Sequence, residues 1–236
     1  MKKKTFFMVA IVLLVFSGVA LASTAQIAFE KGLAAYKKGD YSTALLEFRA
    51  AAEQGILDAM YNLGSMYEKG LGVPQNDSEA ITWYRKAAEQ GEPWSQVNLG
   101  LMYEEGRGVS QNYPEAVKWY RKAAEQGDSD AQSNLGYMCQ KGWGTTQDYA
   151  EAVTWYRKAA GQGHPKGQLR LGLMNEKGMG TPRNFQEAYI WFSLAAENSD
   201  GDLQKEAISA RDRVAKMLTA EQLKQAEQIV KGWKPK

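Results

Sequence analysis

Cysteine and histidine are almost missing from this sequence: Cys139 and His164 stand alone among 236 residues. A lone cysteine closes no intramolecular disulfide, so stability has to come from packing, and Cys139 reads as a small buried hydrophobe. One imidazole and one thiol fall short of an ordinary zinc ligand set. A Ser-His-Asp or Cys-His arrangement would have to use His164, which reads as a loop residue before Pro165. The signatures S-x-x-K and G-x-S-x-G do not occur, and neither does a phosphate-binding G-x-x-x-x-G-K-[ST]. No catalytic residue, cofactor or metal is therefore expected.

Neither sign of charge dominates. Lysine and arginine number 29 and the acids 27, and Lys2, Lys3 and Lys4 belong to the first 22 residues. The remainder is close to neutral and has no electrostatic footprint for nucleic acid. Valine and isoleucine are sparse beyond the N-terminus, which argues against a sheet. The long apolar run is at the N-terminus, from Phe6 to Phe16, after a lysine-rich start and before Ala20-Leu21-Ala22. That order predicts a secretory signal over 1–22, cleaved after Ala22. An uncleaved anchor is the alternative, and no cysteine follows to carry a lipid. The expected location is periplasmic or secreted, with no membrane span after cleavage.

What is abundant is repetition. AITWYRKAAEQG at Ala80 returns as AVKWYRKAAEQG at Ala116 and AVTWYRKAAGQG at Ala152, then loosely as AYIWFSLAAENS at Ala188. Trp83, Trp119, Trp155 and Trp191 keep a 36-residue step, as do the pairs Leu63-Gly64, Leu99-Gly100, Leu135-Gly136 and Leu171-Gly172. A fixed period in this range marks stacked helical hairpins. The expected units are 58–91, 94–127, 130–163 and 166–199, each a helix A followed by a helix B. Residues 26–55 form a shorter first hairpin without the four-residue loop expansion, and 202–231 form C-terminal capping helices.

The local chemistry of each unit is also readable. The glycine inside helix A costs about 1 kcal/mol of helix propensity, so its recurrence predicts a close approach by a neighbour. Paired glycines, such as Gly70 and Gly72, end helix A. Asn76, Asn112, Asp148 and Asn184 precede Glu79, Glu115, Glu151 and Glu187 by three residues, which predicts a capping box on every helix B. Thr219 with Gln222 predicts another on the last helix. Leu203, Ile208, Val214 and Met217 are expected to cover the open end of the stack, and the Arg-Lys pair of helix B to face solvent.

The pattern A-x-x-x-L-G-x-M-Y-x-x-G-x-G-V, then N-x-x-E-A-x-x-W-Y-x-x-A-A-E-Q-G, resembles the Sel1-like repeat family, a branch of the tetratricopeptide-type solenoids. The resemblance covers about 58–199 and is fullest over 94–127. It departs where Tyr67 and Tyr103 give way to Cys139 and Asn175, and where Asn62, Asn98 and Asn134 give way to Arg170. The resemblance implies an all-α, right-handed α/α superhelical solenoid of about five helix-turn-helix hairpins plus C-terminal capping helices. It implies an exported bacterial adaptor or regulator that binds a protein or peptide rather than an enzyme. Helix A would line a concave groove with Tyr61, Trp94, Val97, Leu101, Tyr137, Leu169 and Leu173 as its apolar floor, and Glu68 and Glu104 along an edge. The near-identical W-Y-R-K-A-A block on helix B would be the stacking seam. Alternatives are binding of a cell-wall glycan by the aromatics, or β-lactam binding or hydrolysis as in a cysteine-rich branch whose cysteine pairs this chain lacks.

Overall fold

The computed structural model describes residues 24–235. The expected signal over 1–22 and its cleavage point lie outside the described residues. Within them every regular element is helical. Helix α1 covers residues 24–37. It is followed by α2 (Tyr41–Ala52), α3 (Leu57–Lys69), α4 (Asp77–Glu89) and α5 (Pro93–Glu105). Then come α6 (Tyr113–Glu125), α7 (Ser129–Lys141), α8 (Tyr149–Gly161), α9 (Pro165–Lys177), α10 (Phe185–Glu197), α11 (Gly201–Ala215) and α12 (Ala220–Gly232). The chain forms two compact units, one ending at Gln111 and the other beginning at Asn112.

The first unit holds α1 to α5, and its core is built by large aromatics of one helix against glycine of its hairpin partner. A Cβ on Gly32 would meet the Phe48 ring at 2.6 Å, and one on Gly64 the Tyr84 ring at 2.8 Å. Phe48 and Tyr84 are fully buried. The close approach expected at the helix A glycine is thus made by a ring of helix B in the same hairpin. Each helix B starts on an Asn or Asp side chain: Asn76 accepts from the N–H groups of Ser78 and Glu79. The reciprocal half of the expected capping box is not made, because the Asn76 N–H already donates to the Tyr67 carbonyl. Gly70 closes α3 in the left-handed conformation with its N–H on Met66. Gly72, also left-handed at φ 69°, lies so close to the start of α2 that a Cβ would sit 2.4 Å from the Tyr41 carbonyl oxygen. The extra loop residues of the longer hairpins dock each one on its predecessor.

The second unit holds α6 to α12 and repeats these devices. The rings of Tyr156 and Phe192 fill the space over Gly136 and Gly172. Asp148 and Asn184 cap α8 and α10, and their own N–H groups go to the carbonyls of Cys139 and Asn175. In this unit, among the described residues, the full reciprocal box is made at α12, between Thr219 and Gln222.

A ladder of glutamines ties α5, α7, α9 and α11 to the preceding helix B. Gln96 donates to the Ala88 carbonyl at 3.0 Å in the first unit. In the second, Gln132 donates to Ala124 at 3.2 Å, Gln168 to Ala160 at 3.3 Å and Gln204 to Ala196 at 3.0 Å. Each adds a side-chain donor to a carbonyl in the last turn of a helix B. Gln204 keeps the 36-residue step, so α11 occupies the helix A place of a further hairpin although it has lost the Leu-Gly signature. Ala207, Ala210 and Val214 bury α11 against Phe192 and Ala195 of α10 and Leu169 of α9. Ile208 and Met217, expected to cover the stack, are exposed instead, since they lie off that stripe. Helix α12 covers another face of α10 through Ala226, with Val230 and Trp233 against Ile190 and Leu194.

Candidate functional site

The W-Y-R-K-A-A block proves to be packing. Trp83 and Tyr84 in the first unit, and Trp155 and Tyr156 in the second, are buried. The lysine of the block does not simply face solvent: Lys86 and Lys158 lie 4.0 and 3.9 Å from the ring centroids of Trp83 and Trp155. The arginine reaches the next helix A. Arg85 donates to the Tyr103 hydroxyl at 2.7 Å, and Arg49, which holds the same place in α2, to that of Tyr67. Where tyrosine has become Cys139, Arg121 turns to Glu151 at 2.9 Å.

Six of the expected groove residues belong to the first unit. Trp94 enters α5 behind a Glu92 carboxylate that accepts from its N–H at 3.1 Å, and Pro93 fixes the first turn. Its indole is 58% exposed, unusual for so large an apolar group. The Tyr61 ring lies 5.8 Å from it and 5.9 Å from Tyr84. Burial, and then the charge of Glu92, push the Tyr61 hydroxyl above the usual phenol range. An open cavity of about 390 Å³ runs beside Trp94, lined by Leu57, Asp58, Gln90, Glu92 and Pro93. Val97 and Leu101 are half-buried along the same helix. Glu104 is half-buried too, and Glu68 is engaged within the fold. It accepts from the Tyr84 hydroxyl at 2.7 Å and pairs with Arg107 at 2.7 Å. Its carboxylate is the partner that the buried phenol requires.

The remaining three belong to the second unit, and there the expectation needs correcting. Leu169 is 5% exposed and Leu173 half-buried, because α11 packs over α9 and draws both into the core with Leu203. Tyr137 is half-buried: the Arg170 guanidinium lies 4.1 Å from its centroid and Trp143 meets it edge-on at 5.5 Å. Trp143 also stacks on Tyr113 at 5.1 Å. Trp143 has a sequence signal of its own, a tryptophan inside a G-x-G whose counterparts hold Leu71, Arg107 and Met179.

His164 is more than a loop residue. Its Nδ1 accepts the Gly167 N–H at 3.0 Å and so caps α9, while Nε2 lies 2.9 Å from Asp130 Oδ1. Accepting at Nδ1 places the hydrogen on Nε2, which donates to the carboxylate. That hydrogen bond holds Asp130 below the usual carboxylate range. Cys139 is fully buried, and burial, with Glu151 beside it, pushes its thiol up to about 12. So high a value leaves little thiolate for nucleophilic chemistry. Among the described residues no group of three His, Cys, Asp or Glu side chains is placed to hold a metal ion. No described helix is long and apolar enough to cross a membrane.

The sequence matches the model of the Sel1 repeat over residues 57–92, 95–128, 129–164 and 165–200. No curated protein matches it. Among solved structures, it is similar to a protective antigen present in uropathogenic Escherichia coli strains and displaying an SLR fold, with 37% identity and a TM-score of 0.79. That match covers 87% of this chain and 44% of the antigen, so the chain spans less than half of that relative. It is also similar to a Sel1 repeat protein from Oxalobacter formigenes, with 35% identity and a TM-score of 0.70 over 88% of this chain and 93% of the other. Pseudomonas aeruginosa PilF, 19% identical over 90% of this chain and 95% of its own with a TM-score of 0.62, shares the fold alone. Four matched repeats covering more than half of the sequence, on an all-helical hairpin fold, make this chain a member of the Sel1 repeat family.

Proposed function

We propose that this Sel1 repeat protein is an exported, non-enzymatic binding scaffold that receives an apolar segment of a protein or peptide on the α3–α5 face of its first unit. The observation that carries the reading is the exposed Trp94 indole, braced by Tyr61 over an open cavity of about 390 Å³. A rigid aromatic beside a preformed cavity is the kind of anchor on which binding energy concentrates. Val97 and Leu101 extend the apolar surface along the same helix. The second-unit leucines take no part, since α11 already covers them, and Tyr137 is held under Arg170. Export rests on the signal pattern of residues 1–22 and agrees with one similar structure being that of a protective antigen.

The test is affinity capture from an envelope fraction with wild type, Trp94→Ala and Tyr137→Ala. Trp94→Ala should lose a specifically retained partner by roughly tenfold or more, as truncating an aromatic hot spot does, while circular dichroism stays unchanged. Tyr137→Ala should retain it. Equal capture by Trp94→Ala and wild type would overturn the assignment.

A further inference from the structure

The arginine of the W-Y-R-K block recurs as Arg85, Arg121 and Arg157, and Arg49 holds the same place in α2; three of these four have a satisfied partner. Arg49 and Arg85 hold tyrosine hydroxyls, and Arg121 holds Glu151. Arg157 is the fourth, and no hydrogen bond or ion pair joins it to any described residue. The tyrosine it would have met is Asn175, a side chain too short to cross the gap. Asn175 turns back to its own helix and donates to the Leu171 carbonyl at 2.9 Å. Glu187, which keeps the 36-residue step from Glu151, does not close on Arg157 either. It accepts instead from Trp191 Nε1 at 3.2 Å. The tyrosine-to-asparagine exchange thus leaves a cavity of about 330 Å³ in the second unit, lined by Arg157, Asn175, Thr181, Arg183, Glu187 and Trp191. A neighbouring cavity of about 590 Å³ shares Arg157 and Thr181 and adds the apolar Ala150 and Val153.

Exposed opposite charges therefore stand at the rim of one open cavity without pairing with each other. We infer that this cavity binds a free α-amino acid, with the ligand carboxylate on the Arg157 guanidinium and its ammonium on Glu187. Arg157 offers the fork of donors that matches a carboxylate, and Arg183 adds positive charge at the same rim. Asn175 is 4% exposed and lines the floor, where its amide oxygen is an acceptor for the ammonium. The ligand side chain has room toward Ala150 and Val153. The other seams cannot do this, because tyrosine or glutamate already occupies the arginine. The site shares no residue with the α3–α5 face, so the two proposals succeed or fail separately.

Isothermal titration of the purified protein with leucine, alanine and glutamate tests it, beside N-acetyl-leucine, which lacks the ammonium, and leucinamide, which lacks the carboxylate. At least one free amino acid should bind saturably, and its blocked forms roughly tenfold or more weakly, the cost of losing a charged hydrogen bond. Arg157→Ala should lose binding to the same extent. Asn175→Tyr should also abolish it, by refilling the cavity and rebuilding the Arg–Tyr contact present at Arg49 and Arg85, with thermal stability kept or raised. Absence of saturable binding by all three amino acids would overturn the proposal. Equal binding of the blocked forms, or unchanged binding by a folded Asn175→Tyr variant, would do the same.

Discussion

Gly136 and Tyr156 show how single residues set the helix spacing. A Cβ on Gly136 would lie 2.8 Å from two atoms of a fully buried ring. Gly136→Ala gains about 1 kcal/mol of helix propensity but forces an overpacked contact that costs about 1–3 kcal/mol. A net loss in urea-unfolding stability is expected. Gly161→Ala, at the end of α8 with nothing within 4 Å of the new methyl, should gain stability in the same assay. The partner of each ring hydroxyl follows the same logic. Tyr84 uses Glu68 and Tyr156 uses Gln140, both four residues after the glycine. Phe192 has no hydroxyl, and Glu176 at that place is released to form a two-pronged pair with Arg213 of α11 at 2.7 and 2.8 Å. One missing oxygen thereby helps to recruit the next helix.

At the scale of elements, helix starts carry the polar detail. The residue before each helix A keeps the 36-residue step as Ile56, Glu92, Asp128 and His164, and three of the four cap through a side chain. His164 both caps α9 and binds Asp130 of α7, so two helix starts are joined through one imidazole. The Asp130 carboxyl is depressed by that hydrogen bond, with Lys166 contributing and burial opposing. A carboxyl that binds its proton less readily folded than unfolded stabilises the fold above its unfolded value, near 3.9, and loses that contribution as the pH falls through the folded one. Thermal melts of wild type and Asp130→Asn should therefore differ most above about pH 5, and the gap should shrink as the pH falls below the ordinary carboxylate value of about 4. A gap that persists unchanged to the acid end would sink the assignment. The expected capping boxes fall into the same class of detail. Their asparagine and aspartate halves are made, but the glutamates turn to neighbours, Glu151 to Trp155 and Arg121 and Glu187 to Trp191.

For the molecule as a whole, repeats that contact only their neighbours need something to cover the final apolar face. In the second unit α11 does this by imitating helix A, with Gln204 in the glutamine ladder and Ala207, Ala210 and Val214 in the core. Deleting residues 201–235 should expose Leu169, Leu173 and Phe192. Increased binding of an apolar dye and a lowered Tm are expected, and a deletion that leaves both unchanged would refute the covering role. The repeats, helix pairs and family were legible from the sequence because a shared task leaves the same residue every 36 positions. Trp94 was legible as a surface aromatic on the same reasoning. The fate of Leu169 and Leu173 was not, since α11 approaches α9 from outside the repeat pattern and its alanines carry little periodic signal.

By itself the sequence determined an all-helical stack of hairpins, because apolar spacing, caps and helix-ending glycines act over a few residues and repeat without needing a partner. Tertiary structure alone decided which exposed-looking residues stay exposed. It placed Trp94 at a surface, buried Leu169, tied Glu68 to Tyr84, and left Arg157 facing an open cavity where Asn175 falls short. The physical reason is that burial and pairing depend on what another helix brings to the same place, and spacing along one helix does not record that.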